Sequence, residues 1–205
     1  MALARPGPIV GLLLAAGAGS RRGGPKALAA DEHGPWLTRG VANLMAGGCD
    51  RVVVVLGAEA DDAAAVLAAD PRLLGSAVGV VVADDWATGL SASLRAGLGA
   101  IDSDPDLQEA RVAVVSLVDY PTLPASAVAR SLSGGPAALG VDALRQSVFG
   151  GRPGHPVVVG RAHWRDLAST LEGDRGAGRY LREHGAERID CLDLWDGRDV
   201  DGPIG

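Results

Sequence analysis

The fold of this chain is decided by the segment Ile9-Val10-Gly11-Leu12-Leu13-Leu14-Ala15-Ala16-Gly17-Ala18-Gly19-Ser20-Arg21-Arg22-Gly23-Gly24-Pro25-Lys26. Its apolar first half predicts a buried strand over residues 9–16, and the glycines predict a tight loop after it. Glycine lets backbone amides approach an anion closely. Lys26 is the only lysine among 19 basic residues, which marks a position that needs a compact ammonium. Strand, glycine loop and terminal lysine together predict a phosphate-binding turn.

This loop differs from the two common nucleotide-binding loops. It is not a P-loop, because Lys26 follows a proline and precedes an alanine rather than Ser or Thr. It fits a dinucleotide fingerprint poorly, because Ser20-Arg21-Arg22 stands where the third small residue belongs. The cations Arg21, Arg22 and Lys26 also demand more negative charge than a dinucleotide pyrophosphate offers. The loop therefore favours a nucleoside triphosphate.

Composition narrows the class of protein further. Hydrophobic residues make up 47% of the chain and aromatic residues only 3%, and small aliphatic side chains are typical of parallel strands covered by helices on both faces. The formal net charge of −6 argues against a nucleic-acid or anionic-membrane surface. Cys49 and Cys191 fit no metal-ligand spacing and predict two reduced thiols. With neither a signal-peptide pattern nor an apolar run of roughly twenty residues, we expect a soluble, cytoplasmic protein.

Apolar strand patterns alternate with helical patterns along most of the chain. Strands are predicted over 9–16, 51–56, 78–82 and 112–118, and helices over 36–46, 61–69 and 90–100. This order predicts a Rossmann-like α/β fold, a mostly parallel sheet with helices on both faces. After about residue 135 we expect a hairpin with arms 146–151 and 155–159 around Arg152-Pro153-Gly154. Two short helices are predicted to follow, over 162–171 and 176–183.

Five segments carry a family resemblance, and they occur in order over nearly the whole chain. The segment 14–26 resembles the signature of nucleotidyltransferases related to molybdenum cofactor cytidylyltransferase, within the NTP transferase superfamily. Further similarities lie at Asp85–Leu94, Gly154–Val157, Gly173–Ala177 and Asp199–Pro203. The resemblance implies a glycosyltransferase-A-like architecture in one domain, 1–205. Its nucleotide-binding part would span about 8–132, and its acceptor-binding part about 133–205.

The resemblance also implies an activity and its residues. The activity is Mg²⁺-dependent transfer of a nucleotidyl group, CMP from CTP, to a phosphorylated acceptor such as molybdopterin, with a molybdoenzyme as a further partner. Lys26, Arg21 and Asp119 would be catalytic, and Asp119 with Asp201 would hold the metal, Asp199 being the alternative second ligand. The acceptor would meet His155 and Asp174. The nucleotide would contact Ala15, Ala16, Gly17, Gly19, Arg21, Lys26, Gly89 and Ser93.

Physical chemistry is consistent with these roles. Every reactant in nucleotidyl transfer is anionic, so catalysis consists mainly of charge neutralisation and alignment. Asp119 follows the fourth predicted strand, at the edge where open α/β sheets place their ligands. A carboxylate there can hold Mg²⁺ against phosphate oxygens.

Simpler readings of single residues stay open. Asp119 could belong to an ordinary turn, His155 to a hydrogen-bonded loop, and Asp174 to a charge pair at a helix start. Ser91 and Ser93 could be helix caps. Two residues depart from the family pattern. Tyr120 adds bulk where the acceptor approaches. Arg22 replaces a residue that is usually apolar.

Other functions fit the same chain. The acceptor could be a sugar phosphate or another small phosphorylated alcohol. Some relatives are flavin- or nicotinamide-dependent oxidoreductases, which would need neither Asp119 nor Mg²⁺. A non-catalytic carrier of a molybdenum cofactor would bind the pterin and release no pyrophosphate.

Overall fold

The computed structural model of the protein describes residues 7–19, 23–73, 77–133 and 139–200. Its strands are β1 (Ile9–Leu14), β2 (Ala30–Asp31), β3 (Gly34–Pro35), β4 (Arg51–Leu56), β5 (Val78–Val82), β6 (Val112–Leu117), β7 (Leu144–Phe149), β8 (Arg152–Gly160) and β9 (Glu187–Asp190). Its α-helices are α1 (Trp36–Ala46), α2 (Ala60–Ala69), α3 (Leu90–Ser103), α4 (Ala125–Ser133), α5 (Trp164–Thr170) and α6 (Gly178–Glu183). Within these residues no helix is both long and apolar enough to cross a bilayer.

The central sheet has seven strands in the order β5-β4-β1-β6-β8-β7-β9. Strands β5, β4, β1 and β6 run parallel, which confirms the predicted parallel half. Strand β8 runs antiparallel to both β6 and β7, and β9 pairs parallel with β7. The α/β class with a mostly parallel sheet is therefore confirmed. The carboxyl ends of β1 and β6 lie side by side, with Leu14 opposite Leu117.

Helices cover both faces of the sheet because alternate strand residues point to opposite sides. On one face α1, α2 and α4 pack against Leu13, Val54 and Val114. On the other face α3, α5 and α6 pack against Leu12 and Val55. The central strands are buried on both faces, which is why they read as continuous apolar runs.

Element boundaries differ from the predictions in a few places. Strand β1 ends at Leu14, two residues before the end of the apolar run, because the chain turns there into the glycine loop. Helix α3 continues one turn past residue 100, to Ser103. The predicted hairpin turn at 152–154 is wrong, because Gly150 and Gly151 form the turn with φ of 59° and 80°. Only glycine adopts such angles readily at both positions of a two-residue turn. Arg152 therefore begins β8.

The antiparallel half is held by a buried arginine. The Arg145 side chain on β7 is 2% exposed, and its Nε donates to Glu187 Oε2 on β9 at 3.0 Å. Its Nη1 donates to the carbonyls of Ser131 and Leu132 at the end of α4. The guanidinium of Arg145 therefore links β7 to α4 and to β9.

Candidate active site

The glycine loop leaves the sheet at Leu14 and stays anchored to neighbouring strands. The Ala15 amide donates to the Val55 carbonyl at 2.8 Å, and the Ala16 carbonyl accepts from Ala58 at 3.0 Å. Gly19 has φ of 59°, and a Cβ atom there would lie 1.9 Å from the carbonyl oxygen of Gly24. Position 19 therefore requires glycine, and the turn brings the chain back toward Lys26.

Lys26 and Asp119 form an ion pair at the carboxyl edge of the sheet. Lys26 begins a short 3-10 helix, and its Nζ lies 3.2 Å from Asp119 Oδ2. The other carboxylate oxygen, Oδ1, is buried and has no hydrogen-bond partner among the described residues. A buried carboxylate oxygen without a partner is costly, so this atom fits a site for a cation or a hydrogen-bond donor from a ligand.

The ion pair lies in a cavity of about 400 Å³. Its walls come from the loop after β1, the segment that enters α3, and the turn after β6. The residues that line it are Leu14, Ala15, Ala16, Gly17, Ala18, Gly19, Lys26, Trp86, Ala87, Gly89, Leu90, Ser93, Leu117, Val118, Asp119 and Asp174. All the nucleotide-binding residues predicted from the sequence lie on this list except Arg21, which is outside the described residues.

The entry to α3 forms another wall of the larger cavity. Gly89 has φ of 122°, and a Cβ atom there would lie 2.5 Å from the carbonyl group of Gly173 and 2.6 Å from Asp174 Oδ1. The Ser91 amide donates to the Gly173 carbonyl at 3.1 Å, and no side chain caps the helix. Gly89 therefore permits a close approach that brings Asp174 to the larger cavity.

A second, smaller cavity of about 250 Å³ adjoins the first, and the two share Leu14, Leu90 and Leu117. It contains His155 but not Asp174. Its remaining walls come from α3, from the hairpin β7–β8 and from the start of α6. The two acceptor residues predicted from the sequence thus lie in different cavities.

His155 is oriented by the sheet. Its Nδ1 lies 3.2 Å from the Val115 carbonyl, and a carbonyl can only accept, so Nδ1 carries the proton. Burial lowers the pKa of His155, and the Val115 hydrogen bond and the Asp119 charge oppose that effect. The imidazole is therefore neutral near pH 7, and it presents an acceptor nitrogen at Nε2.

An aromatic row continues outward from His155. Tyr120 packs against His155 with ring centroids 5.4 Å apart, and Trp195 meets Tyr120 edge-on at 5.5 Å. The Trp195 indole donates to Thr122 Oγ1 at 3.1 Å. The Val200 amide donates to the Asp119 carbonyl at 2.9 Å, so the C-terminal segment returns to the turn after β6.

Two of the predicted site residues, Arg21 for the triphosphate and Asp201 for the metal, lie outside the described residues. Asp199 is exposed and lines neither cavity. Across residues 7–19, 23–73, 77–133 and 139–200, no three His, Cys, Asp or Glu side chains form a group that could hold a metal ion.

The sequence analysis did not identify Gln146, whose side chain lines the smaller cavity from the middle of β7. In the structure Gln146 is a half-buried amide between the buried residues Arg145 and Ser147, and that burial is not visible in the sequence. A neutral polar side chain at such a position has to find a partner.

Comparison with known proteins agrees with this fold. The MobA-like NTP transferase domain matches residues 11–189. Nicotine blue oxidoreductase from Paenarthrobacter nicotinovorans is 36% identical over 199 residues, covering 94% of this chain and 92% of that protein. The crystal structure of Rv0371c from Mycobacterium tuberculosis H37Rv has a TM-score of 0.75 at 27% identity, covering 96% and 94% of the two chains. The Rv0371C complex with manganese has a TM-score of 0.67 at 25% identity, covering 90% and 88%.

The family match over residues 11–189, together with the fold, defines a nucleotidyltransferase, as the sequence resemblance predicts. Within that class, the chain belongs to the MobA-like NTP transferase family.

Proposed function

We propose that the protein transfers CMP from CTP to a phosphorylated acceptor such as molybdopterin, in a Mg²⁺-dependent reaction that releases pyrophosphate. The observation that carries the proposal is Asp119 Oδ1, a buried oxygen without a partner among the described residues, beside the Lys26 ammonium. Unpaired cysteines are typical of a reducing compartment, which supports a cytoplasmic location.

The proposed step is in-line displacement at phosphorus. A phosphate oxygen of the acceptor attacks the α-phosphorus of CTP, and the bond from that phosphorus to the oxygen bridging toward the β-phosphorus breaks. The products are a CMP–acceptor phosphoanhydride and pyrophosphate. Lys26 and Arg21 would hold the triphosphate and the charge that develops on the leaving group, while amides of residues 15–19 would position the phosphates.

The metal fits the residues that are present. Asp119 offers a free carboxylate oxygen, and hard cations such as Mg²⁺ prefer oxygen ligands. We assign the second ligand to Asp201, because Val200 is hydrogen-bonded to Asp119. When bound, Mg²⁺ would neutralise charge on the triphosphate. The manganese complex of the structural neighbour supports a divalent metal.

The other side chains have separate tasks in this proposal. Gly89 and Ser93 would contact the base and ribose, and Asp174, which lines the same cavity as Asp119, would contact the acceptor. His155 would contact the acceptor in the smaller cavity. Because the two cavities share Leu14, Leu90 and Leu117, an acceptor in the smaller cavity would have its phosphate beside the larger one.

A thermal-shift panel tests the donor and the metal. CTP, GTP, ATP, UTP, NADPH and FMN are each added with and without Mg²⁺ to the wild type and to Asp119→Asn. Asp62→Asn serves as the matched control, because Asp62 is exposed on α2, which lines neither cavity. A ligand at 100 times its dissociation constant stabilises the fold by about 2.7 kcal/mol. We expect Mg²⁺-dependent stabilisation by CTP in the wild type and in the control, and its loss in Asp119→Asn.

A second candidate function is supported by the 36% identity to nicotine blue oxidoreductase. In that case NADPH or a reduced flavin would deliver a hydride, and solvent a proton, to an oxidised substrate that gains two electrons. Stabilisation by NADPH or FMN, unaffected by Mg²⁺ and by Asp119→Asn, would favour this function and refute nucleotidyl transfer.

A further inference from the structure

The chain between α5 and α6 contributes to both cavities. We refer to residues 171–176 as the Asp174 loop. Within it, Asp174 lines the larger cavity and Gly176 lines the smaller one. Residues 172–175 are exposed, so burial of their side chains does little to hold the loop in place. The position of the Asp174 loop therefore depends on its contacts with α3.

Two hydrogen bonds tie the Asp174 loop to the first two turns of α3. The Ser91 amide donates to the Gly173 carbonyl at 3.1 Å, and Arg95 Nη2 donates to the Leu171 carbonyl at 2.9 Å. Ser91 and Arg95 are four residues apart, so they lie on the same face of the helix. The loop is therefore held along one face of α3 at two points.

Arg95 also lies beside the segment that enters α3. Its Nη1 is 3.9 Å from Asp85 Oδ2, and the two residues after Asp85 line the larger cavity. The side chains of Arg95 and Asp85 are 44% and 57% exposed, so this ion pair is weak and the hydrogen bond to Leu171 is the stronger contact. Arg95 itself lines neither cavity. An effect of Arg95 on a substrate must therefore act through other residues.

We infer that Arg95 is a positioning residue, which holds the Leu171 carbonyl and thereby fixes the Asp174 loop against α3 with the Asp174 carboxylate in place for the acceptor. This inference rests on the proposed function, since it takes Asp174 as an acceptor contact. A carboxylate accepts hydrogen bonds, so Asp174 contacts N–H or O–H groups of the acceptor and not its phosphate.

The nucleotide contacts do not depend on this loop. Gly89 and Ser93 belong to α3 and its entry, and Lys26 follows the glycine loop after β1. Loss of the Arg95 donor should therefore weaken binding of the acceptor and leave binding of CTP nearly unchanged.

Kinetics of pyrophosphate release from CTP and Mg²⁺, with molybdopterin as the acceptor, test this role. Arg95→Met keeps most of the side-chain stem and removes the donors, whereas Arg95→Lys keeps a charged donor. Arg165→Met is the matched control, because Arg165 also lies 3.9 Å from an aspartate, Asp102, is 91% exposed and lines neither cavity.

We expect Arg95→Met to raise KM for molybdopterin about threefold to tenfold, the effect of one hydrogen bond, while kcat and KM for CTP change less than about twofold. Arg95→Lys should recover part of the loss, and Arg165→Met should behave as the wild type. An unchanged KM for molybdopterin in Arg95→Met would overturn the inference.

A cycle with Asp174→Asn separates positioning of Asp174 from a general loosening of the fold. If Arg95 acts through Asp174, Arg95→Met should raise KM for molybdopterin little further once Asp174→Asn is present. Effects of the two substitutions that simply multiply would show that Arg95 does not act through Asp174, and the inference would then be wrong.

Amide hydrogen exchange follows the loop itself and needs no transfer reaction. The Gly173 carbonyl protects the Ser91 amide, so release of the loop exposes that amide to exchange. We expect about tenfold faster exchange at Ser91 in Arg95→Met, and wild-type exchange in Arg165→Met. Wild-type exchange at Ser91 in Arg95→Met would refute the role of Arg95 in holding the loop.

The two readouts separate this inference from the proposed function. A wild type that releases no pyrophosphate would refute the transferase and with it the acceptor contact of Asp174. Faster exchange at Ser91 would in that case still retain Arg95 as the residue that holds Asp174 in the larger cavity. Normal transfer by Arg95→Met, with wild-type KM and wild-type exchange, would refute the inference alone.

Discussion

The Lys26–Asp119 ion pair gives the sharpest prediction about this fold and its chemistry. Lys26→Met keeps most of the side-chain stem and removes the ammonium that lies 3.2 Å from Asp119 Oδ2. The two side chains are only 16% and 22% exposed, so solvent screens the pair incompletely. Asp119 Oδ1 has no hydrogen-bond partner among the described residues. The substitution also removes Lys26 as the partner of Asp119 Oδ2.

The expected loss of stability in Lys26→Met follows from the distance between the two charges and from the burial of their side chains. At 3.2 Å and an effective dielectric constant of about 20, the direct attraction is about 5 kcal/mol before desolvation is subtracted. Hydrogen bonds to charged groups contribute about 1.5–3 kcal/mol net. We therefore expect Lys26→Met to lower the free energy of unfolding by about 2 kcal/mol, which corresponds to about 4–8 °C in Tm for a chain of this size.

Urea unfolding of the wild type, Lys26→Met, Asp119→Asn and the double variant measures the coupling in a double-mutant cycle. We expect a coupling energy of about 2 kcal/mol, with the double variant more stable than the sum of the single losses indicates. A coupling energy below about 0.5 kcal/mol would refute this reasoning. Lys26→Arg is the matched control for charge. It should keep most of the stability and still slow nucleotidyl transfer by about tenfold or more, because a guanidinium fork cannot replace a compact ammonium.

Three further predictions concern other parts of the molecule. Gly89→Ala should lower stability by about 1–3 kcal/mol and weaken nucleotide binding, because a Cβ would lie 2.5 Å from Gly173 and φ is 122°; unfolding and calorimetry check both. His155 should titrate below its ordinary pKa of 6.5, so stability should fall as pH drops through that value, because the unfolded chain binds the proton more tightly; unfolding of His155→Phe should show a weaker pH dependence. Arg145→Met should destabilise by about 3–5 kcal/mol, because it leaves Glu187 and the carbonyls of Ser131 and Leu132 without this donor, and urea unfolding measures the loss.

Each of these has a contradicting result. Wild-type stability and nucleotide affinity in Gly89→Ala would show that the entry to α3 is not constrained. An identical pH dependence in His155→Phe and the wild type would exclude His155 as the group responsible. A loss below about 1 kcal/mol in Arg145→Met would show that this arginine is not a central tie, with Arg165→Met, an exposed position, as the control.

The parallel half of the fold was predictable because its signals are local. Buried strands such as Arg51–Leu56 are continuous apolar runs, and α1 ends at Gly47-Gly48 as its sequence indicates. The antiparallel half was predicted less well. Helix α4 is short, and β9 contributes one buried residue, Ile189, so each offers few positions from which a periodic pattern can be recognised. Their positions depend on distant contacts such as those of Arg145.

The site residues also divide into those that local sequence predicts and those that depend on distant contacts. The glycine loop and Lys26 lie in one segment, so their proximity follows from the chain itself. That Asp119 meets Lys26 follows from the adjacency of β1 and β6, which the strand order of an α/β sheet makes predictable. The approach of Asp174 to Gly89, and the place of Gln146 in the smaller cavity, depend on tertiary packing that sequence spacing does not encode.

Phosphorus NMR of CTP incubated with the protein, Mg²⁺ and molybdopterin tests the proposed transfer most directly. Nucleotidyl transfer predicts that pyrophosphate and a new CMP phosphoanhydride appear in equal amounts with the wild type and with Asp62→Asn, and that neither forms with Asp119→Asn. Unchanged CTP in all three samples, together with oxidation of added NADPH by an oxidised substrate, would contradict it.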